Sequence, residues 1–327
     1  MKKIKRLIAS SLMMLVLSAC QSTTPPSWYS APEETNSDYI QAVGQGRSLN
    51  SAKQSALSQI NSDLWTQVNS SFSMREVAKS FNDKSNNYSV VDNNINSETA
   101  NVTFTGIEYT KSEKNDIAYF VQARIKKPTV IQQLKTDIRN TNEQAKIQLD
   151  ALTHQDPLIW WMANQNASEY RDSVIVRMAM LAALTPEQSI PNAPAVKTLL
   201  EKVSVMQSRL LVRIVHSSHD KKSAEFLARS LNEQGIATTM GANSRATHTL
   251  KMTSEFRRAF MASSYISTKV TTLSLTNNQN RHVIATQEVI STGNSMSGYD
   301  LANEGSERNF SDIINEKGIW SALGLTN

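Results

Sequence analysis

The chain carries one cysteine, Cys20, and five histidines, His154, His216, His219, His248 and His282, in 327 residues. These are the side chains whose types allow nucleophilic, proton-transfer or metal chemistry, and their spacing narrows that list. His216-Ser217-Ser218-His219-Asp220 is the densest constellation. Two histidines three apart can share a helix face and ligate zinc, but this segment falls where a strand-like run ends and a helical one begins. There Ser217 or Ser218 reads as a helix cap and the histidines as surface-loop residues. The sequence contains no Gly-x-Ser-x-Gly elbow, no paired metal-ligand motif and no Gly-Lys-Ser/Thr phosphate loop. Gly44-Gln45-Gly46 precedes a helix but lacks the third glycine and the βαβ spacing of a dinucleotide loop. The expectation is a protein with no catalytic residues, no metal and no cofactor.

Cys20 has a different chemistry. It follows a basic head (Lys2, Lys3, Lys5, Arg6) and a largely apolar run from Leu7 to Leu17. That run is about eleven residues, short of the ~20 a spanning helix needs, and with small residues behind it marks a cleaved secretory signal over residues 1–19. Leu17-Ser18-Ala19-Cys20 resembles a bacterial lipobox. The resemblance implies that the Cys20 thiol is thioether-linked to diacylglycerol and that cleavage leaves an acylated amino terminus carrying palmitate-type chains. With Gln21 and Ser22 next and no Asp, the same resemblance implies an outer-membrane anchor with the body facing the periplasm. Acyl chains contribute ~0.8 kcal/mol per buried CH₂, so several hold a protein firmly where one does not.

Removing the signal takes four cationic residues from a formal charge of +5 and leaves +1 on 308 residues. A near-neutral chain gives no electrostatic reason to expect nucleic acid. With its one thiol acylated it has no disulfide, so packed cores must supply its stability.

The elements read as α+β: two α+β domains joined by a helical segment. Residues 20–38, rich in Ser, Thr and Pro, form a lipidated tether. Trp28 and Tyr29 within it either cap the first domain's core or sit at the lipid interface. Residues 39–127 form the first domain. Tyr39–Val43 is a strand and Gly44–Gly46 a turn. A helix capped by Ser48 follows, with Leu49, Ala52, Ala56, Ile60, Leu64 and Val68 on one face. After an Asn/Ser/Asp-rich loop at 82–101, "NVTFTGIEYT" and "IAYFVQARI" read as a hairpin across the charged turn "KSEKND". Its buried face would join Val102, Phe104 and Ile107 to Ile117, Tyr119, Val121 and Ala123. Residues 128–206 are a helical connector, with Tyr170, Val174, Met178 and Leu181 on one helix face and Val196, Leu199, Leu200 and Val203 on another. Residues 207–327 form the second domain: strand "LLVRIVH", a helix bearing Ala224, Leu227, Ala228 and Leu231, and Gly235 at C′. Then come strand "IATTM", strands near 247–253, 266–275 and 282–290, and a last helix over about 306–317.

Trp28, Tyr29, Val43, Gly44, Gly46, Ala52 and Ala56, with the later "FTGIEYT…IAYFVQARI", resemble the LPP-type family of bacterial outer-membrane lipoproteins. The twenty-kilodalton Helicobacter lipoprotein typifies it, and flagellar outer-membrane disk and ring proteins carry a similar domain. The resemblance covers residues 27–127 and implies a structural or assembly role with envelope protein partners, self-association left open, and no active site. "LLVRIVHSSHDKKSAEFLARSLNEQGIATTM" is similar to the first half of the SPOR glycan-binding domain, which makes peptidoglycan binding the alternative.

Overall fold

The computed structural model describes residues 23–31, 37–70, 102–186 and 189–325, the side chains of 67–70 excepted. The signal, Cys20 and the loop expected at 82–101 lie outside the described residues. The protein is α+β, with two sheets among the described residues. Its chain divides into two units, residues 1–145 with 169–197, and residues 146–168 with 198–327.

In unit 1 a short helix, α1 (Ser27–Ser30), precedes strand β1 (Tyr39–Gly46) and helix α2 (Leu49–Ser70). Strands β2 (Glu108–Lys114) and β3 (Tyr119–Lys126) complete an antiparallel sheet of order β1-β3-β2. Ala52, Ala56, Ile60 and Leu64 are buried as the spacing predicts, and Ser48 Oγ accepts from Ser51 N at 3.1 Å as the cap. Leu49, in the first turn, is instead exposed.

Two expectations fail here. The strand does not stop at Val43, because Gly44 and Gly46 lie inside β1, paired with Val121 and Tyr119. Helix α2 crosses directly over them: a Cβ on Gly44 would stand 2.8 Å from Ala56 Cα, and one on Gly46 would meet Ala52 N at 2.5 Å. The glycines permit close packing of a helix on a strand rather than a turn. The hairpin is also shifted. Residues 102–107 are not a strand, although Val102 and Phe104 are buried, whereas Lys111–Lys114 of the expected turn belong to β2. Strand β2 is a solvated edge, so its charges report exposure rather than a turn. The turn begins at Asn115, and Ile117 projects from it, 61% exposed.

Four helices follow: α3 (Lys127–Ala151), α4 (Pro157–Asn164), α5 (Ser168–Leu184) and α6 (Pro194–Arg209). In unit 1, Arg177 Nε of α5 donates to Asp137 Oδ2 of α3 at 3.3 Å, and Ala195 N to Asn142 Oδ1 at 2.9 Å. The α5 face of Val174, Met178 and Leu181 is buried and thickened by Ala179 and Met180 as its sequence predicts, and Ile175 and Val176 are buried as well.

Unit 2 carries a five-stranded sheet of order β5-β4-β6-β7-β8. Its strands are β4 (Leu211–Val215), β5 (Ala237–Thr239), β6 (His248–Met261), β7 (Ser264–Asn277) and β8 (Val283–Ser295). Strand β4 runs parallel to β5 and β6, and β6-β7-β8 form an antiparallel meander. A 3₁₀ turn (Ser218–Asp220) leads into α7 (Lys221–Glu233). Gly235 (φ +79°) closes α7 in a Schellman motif, Gly235 N donating to Asn232 O and Ile236 N to Leu231 O. The meander strands are longer than expected, and the closing helix α8 (Tyr299–Lys317) starts seven residues earlier than the sequence pattern marks it. It lies so close to β8 that a Cβ on Gly293 would run into Ala302 O and Ser306 N. A last turn, α9 (Ile319–Ala322), sets Trp320 edge-on to Trp161 at 6.3 Å.

Candidate functional site

Titratable groups gather at two places in unit 2. On the inward side of β7, Lys269 is fully buried. Its Nζ lies 2.5 Å from Glu307 Oε1 on α8 and 3.2 Å from Asp220 Oδ1 at the start of α7, and donates to Ser223 Oγ at 2.9 Å. Ser217 Oγ donates to Asp220 Oδ2 at 2.8 Å, and Ser223 Oγ to Glu307 Oε2. The rings of Phe310 and Phe256 flank the ammonium at 5.4 and 5.7 Å. Burial alone would push the Asp220 carboxyl up; hydrogen bonds from Ser254 and Ser217 and the adjacent ammonium outweigh it and hold the carboxyl below its usual value. One cation facing two acids across three elements fixes how α7 and α8 seat on the sheet.

The second place joins Asp156, His248 and Asn277. Asp156 caps α4, its Oδ1 accepting from Leu158 N at 2.9 Å. The same carboxylate takes Asn277 Nδ2 at 2.6 Å and faces His248 Nε2 at 3.1 Å. Burial raises its pKa, but the bonds from His248 and Asn277 dominate and the net shift is downward. His248 is fully buried, so the pair braces a helix start against the sheet and presents no nitrogen to a substrate.

The histidine cluster singled out in the sequence is divided by the fold. His216 Nδ1 contacts Ser217 O at 2.7 Å and His219 is exposed, while Asp220 turns inward to Lys269. His154 and His282 are exposed. Among the described residues no three His, Cys, Asp or Glu side chains converge as a metal site, and no helix is long and apolar enough to cross a membrane. The Lys269 node carried a sequence signal, because Tyr265, Ser267, Lys269, Thr271, Leu273 and Leu275 share one strand phase and a lysine in a buried phase demands partners.

The surface has its own concentration of contact-type residues. At the far end of the β6–β7 hairpin Phe260 (58% exposed) and Met261 (65%) project, with Met296 (80%) just beyond β8. Phe260 packs tilted on Tyr265 at 4.8 Å and Tyr265 edge-on to Tyr299 at 5.0 Å, and Arg258 lies 5.3 Å over Tyr299. The intervening turn places Ala262 and Ser263 at φ +49° and +62°. In unit 1, α2 and residues 102–107 border an open groove of about 480 Å³, with no charged side chain among the described residues of its lining.

Of the tether aromatics, Tyr29 packs edge-on against buried Phe120 at 4.9 Å and the Trp28 indole donates to Glu113. Tyr29 thus takes the core-capping placement, while Trp28 lies against the end of β2.

No family model matches the chain, and no curated protein does. Among solved structures, a secreted protein from Helicobacter pylori is similar over 88% of this chain and 100% of its own, at 13% identity and a TM-score of 0.47. A minor lipoprotein from Acinetobacter baumannii is similar over 36% of this chain and 92% of its own, at 11% identity and a TM-score of 0.27. PelC from Paraburkholderia phytofirmans is similar over 32% and 85%, at 19% identity and a TM-score of 0.25.

Proposed function

We propose that this chain is a lipoprotein of the bacterial cell envelope, anchored in the outer membrane through Cys20 and facing the periplasm, where it serves a structural or assembly role by binding other envelope proteins. The lipobox-like Leu17–Cys20 supports the anchor. The exposed Phe260, Met261 and Met296 beside Tyr265, Tyr299 and Arg258 carry the binding reading, since aromatic, Met and Arg side chains are the ones enriched at protein interfaces. Lys269 and Asp156 of unit 2 engage partners inside it, Asp220 with Glu307 and His248 with Asn277. The LPP-type resemblance of residues 27–127 makes a flagellum-associated assembly the specific form of this role.

The test is in-cell photocrosslinking from a photoreactive side chain at position 261 of the full chain. A defined envelope protein that co-fractionates with outer membrane and basal bodies is expected. No protein adduct from 261, together with normal motility in a deletion strain, would remove both the interface and the flagellar assignment.

Peptidoglycan binding is the second reading. The side of β6-β7-β8 facing away from α8 is hydroxyl-lined, with Thr268 Oγ1 3.2 Å from Thr292 Oγ1 and Thr286 Oγ1 donating to Ser274 Oγ at 3.4 Å. Sedimentation of the intact protein with purified sacculi supports that reading, and retention in the supernatant rejects it.

A further inference from the structure

The segment that leads from the lipidation site is pinned to one end of unit 1. Thr24 O accepts from Asn115 Nδ2 at 3.2 Å, Trp28 donates to Glu113, and Tyr29 lies against Phe120. Glu113 and Asn115 flank the end of β2, and Phe120 is the second residue of β3, so all three anchor points surround the β2–β3 turn. That turn is stiff. Asn115 Oδ1 accepts from Ile117 N at 3.0 Å and Ala118 N at 2.8 Å, and Asn115 N donates to Ala118 O at 3.0 Å. At its tip Ile117 is 61% exposed, a branched apolar side chain within the polar stretch "KSEKNDIA", beside Lys114 whose ammonium lies 5.2 Å over Tyr119.

Only three residues, Gln21, Ser22 and Thr23, lie between Cys20 and Thr24. Four steps of no more than ~3.6 Å keep the Cys20 Cα, which bears the lipidated thiol side chain, within about 14 Å of the Thr24 Cα. We infer that the β2–β3 turn rests on the bilayer surface with Ile117 in the boundary between headgroups and acyl chains. The inference rests on the lipid-anchor reading of Cys20. One isoleucine would not recruit a free protein, but a tether this short raises its effective concentration at the membrane, and the turn around it balances Lys111 and Lys114 against Glu113 and Asp116, so no net charge opposes its approach. The opposite end of the sheet, where Tyr39 pairs with Lys126, stands about 24 Å up the strand, beyond the reach of the headgroups.

Because acylation consumes the one native thiol, Ile117→Cys and Lys126→Cys each give the processed full-length protein a single labelling site. Both are labelled with an environment-sensitive fluorophore and reconstituted in vesicles of phosphatidylethanolamine and phosphatidylglycerol carrying shallow spin-labelled quencher lipids. The probe at 117 should be blue-shifted and quenched at least twofold more than the probe at 126. Inserting twenty Gly/Ser residues between Ser22 and Thr23 should lower that quenching. Equal, weak quenching at both positions in protein that is acylated and floats with the vesicles overturns the docking alone. If the unlabelled wild-type protein incorporates no palmitate and does not float, the anchor reading and the docking fall together.

Discussion

Lys269 Nζ and Glu307 Oε1 meet at 2.5 Å, one on the inward side of β7 and the other midway along α8. Removing the lysine strands two carboxylates in the interior, and breaking a buried pair in this way costs about 3–5 kcal/mol. Lys269→Met should therefore lower the denaturation midpoint sharply, as read by circular dichroism in urea. Adding Asp220→Asn and Glu307→Gln to it should restore most of the loss, because the uncompensated charges go with their partner. Equal midpoints for Lys269→Met and wild type would show that the node does not hold α8 in place.

Acid should attack both nodes. Asp156 and Asp220 titrate below the ordinary carboxylate value in the folded protein. Their contribution is thus fully present above the unfolded value of about 3.9 and disappears as pH falls through the lower folded values. The melting temperature should drop steeply below about pH 4. Asp156→Asn, already uncharged, should flatten part of that drop while lowering stability at pH 7, since its amide cannot accept from the α4 amides, His248 and Asn277 together.

Gly44→Ala tests the seating of α2 on β1. The new methyl would invade the backbone of Ala52 and Ala56, and overpacking of this kind costs about 1–3 kcal/mol or more. Gly241→Ala, which meets nothing within 4 Å, is the matched control and should stay within about 0.5 kcal/mol of wild type. Thermal melts of the two variants decide the point.

The β6–β7 turn offers a change in the opposite direction. Ala262 and Ser263 both adopt left-handed backbone, the arrangement of a type I′ hairpin that Asn-Gly fills without strain. Ala262→Asn with Ser263→Gly should stabilise unit 2 by about 1 kcal/mol, seen as a higher melting temperature.

How far the sequence reveals this molecule depends on the range of each interaction. The α2 stripe of Ala52, Ala56, Ile60 and Leu64, and the Gly235 cap, are local signals and were legible. Gly44 was misread because glycine marks both turns and close approaches, and only the helix lying over it distinguishes them. The Lys111–Lys114 run was misread because charge reports solvent, which an edge strand meets as fully as a turn. Lys269 was legible in principle from strand phase, though its acids, 49 positions earlier and 38 later, were not. Asp156 and Asn277 stand 121 positions apart, and no periodicity joins them.

That separation also sets a timetable. Residues 146–168 belong with 198–327, yet residues 169–197, which belong with the other unit, are made between them. In an exported chain Asp156 emerges before residues 169–197 and 121 positions ahead of its partner Asn277. Until then α4, with Trp160 and Trp161, waits for the sheet it will brace. Unit 2 is therefore among the last parts of the chain able to mature, and a fragment beginning at 209 would lack the segment that completes it.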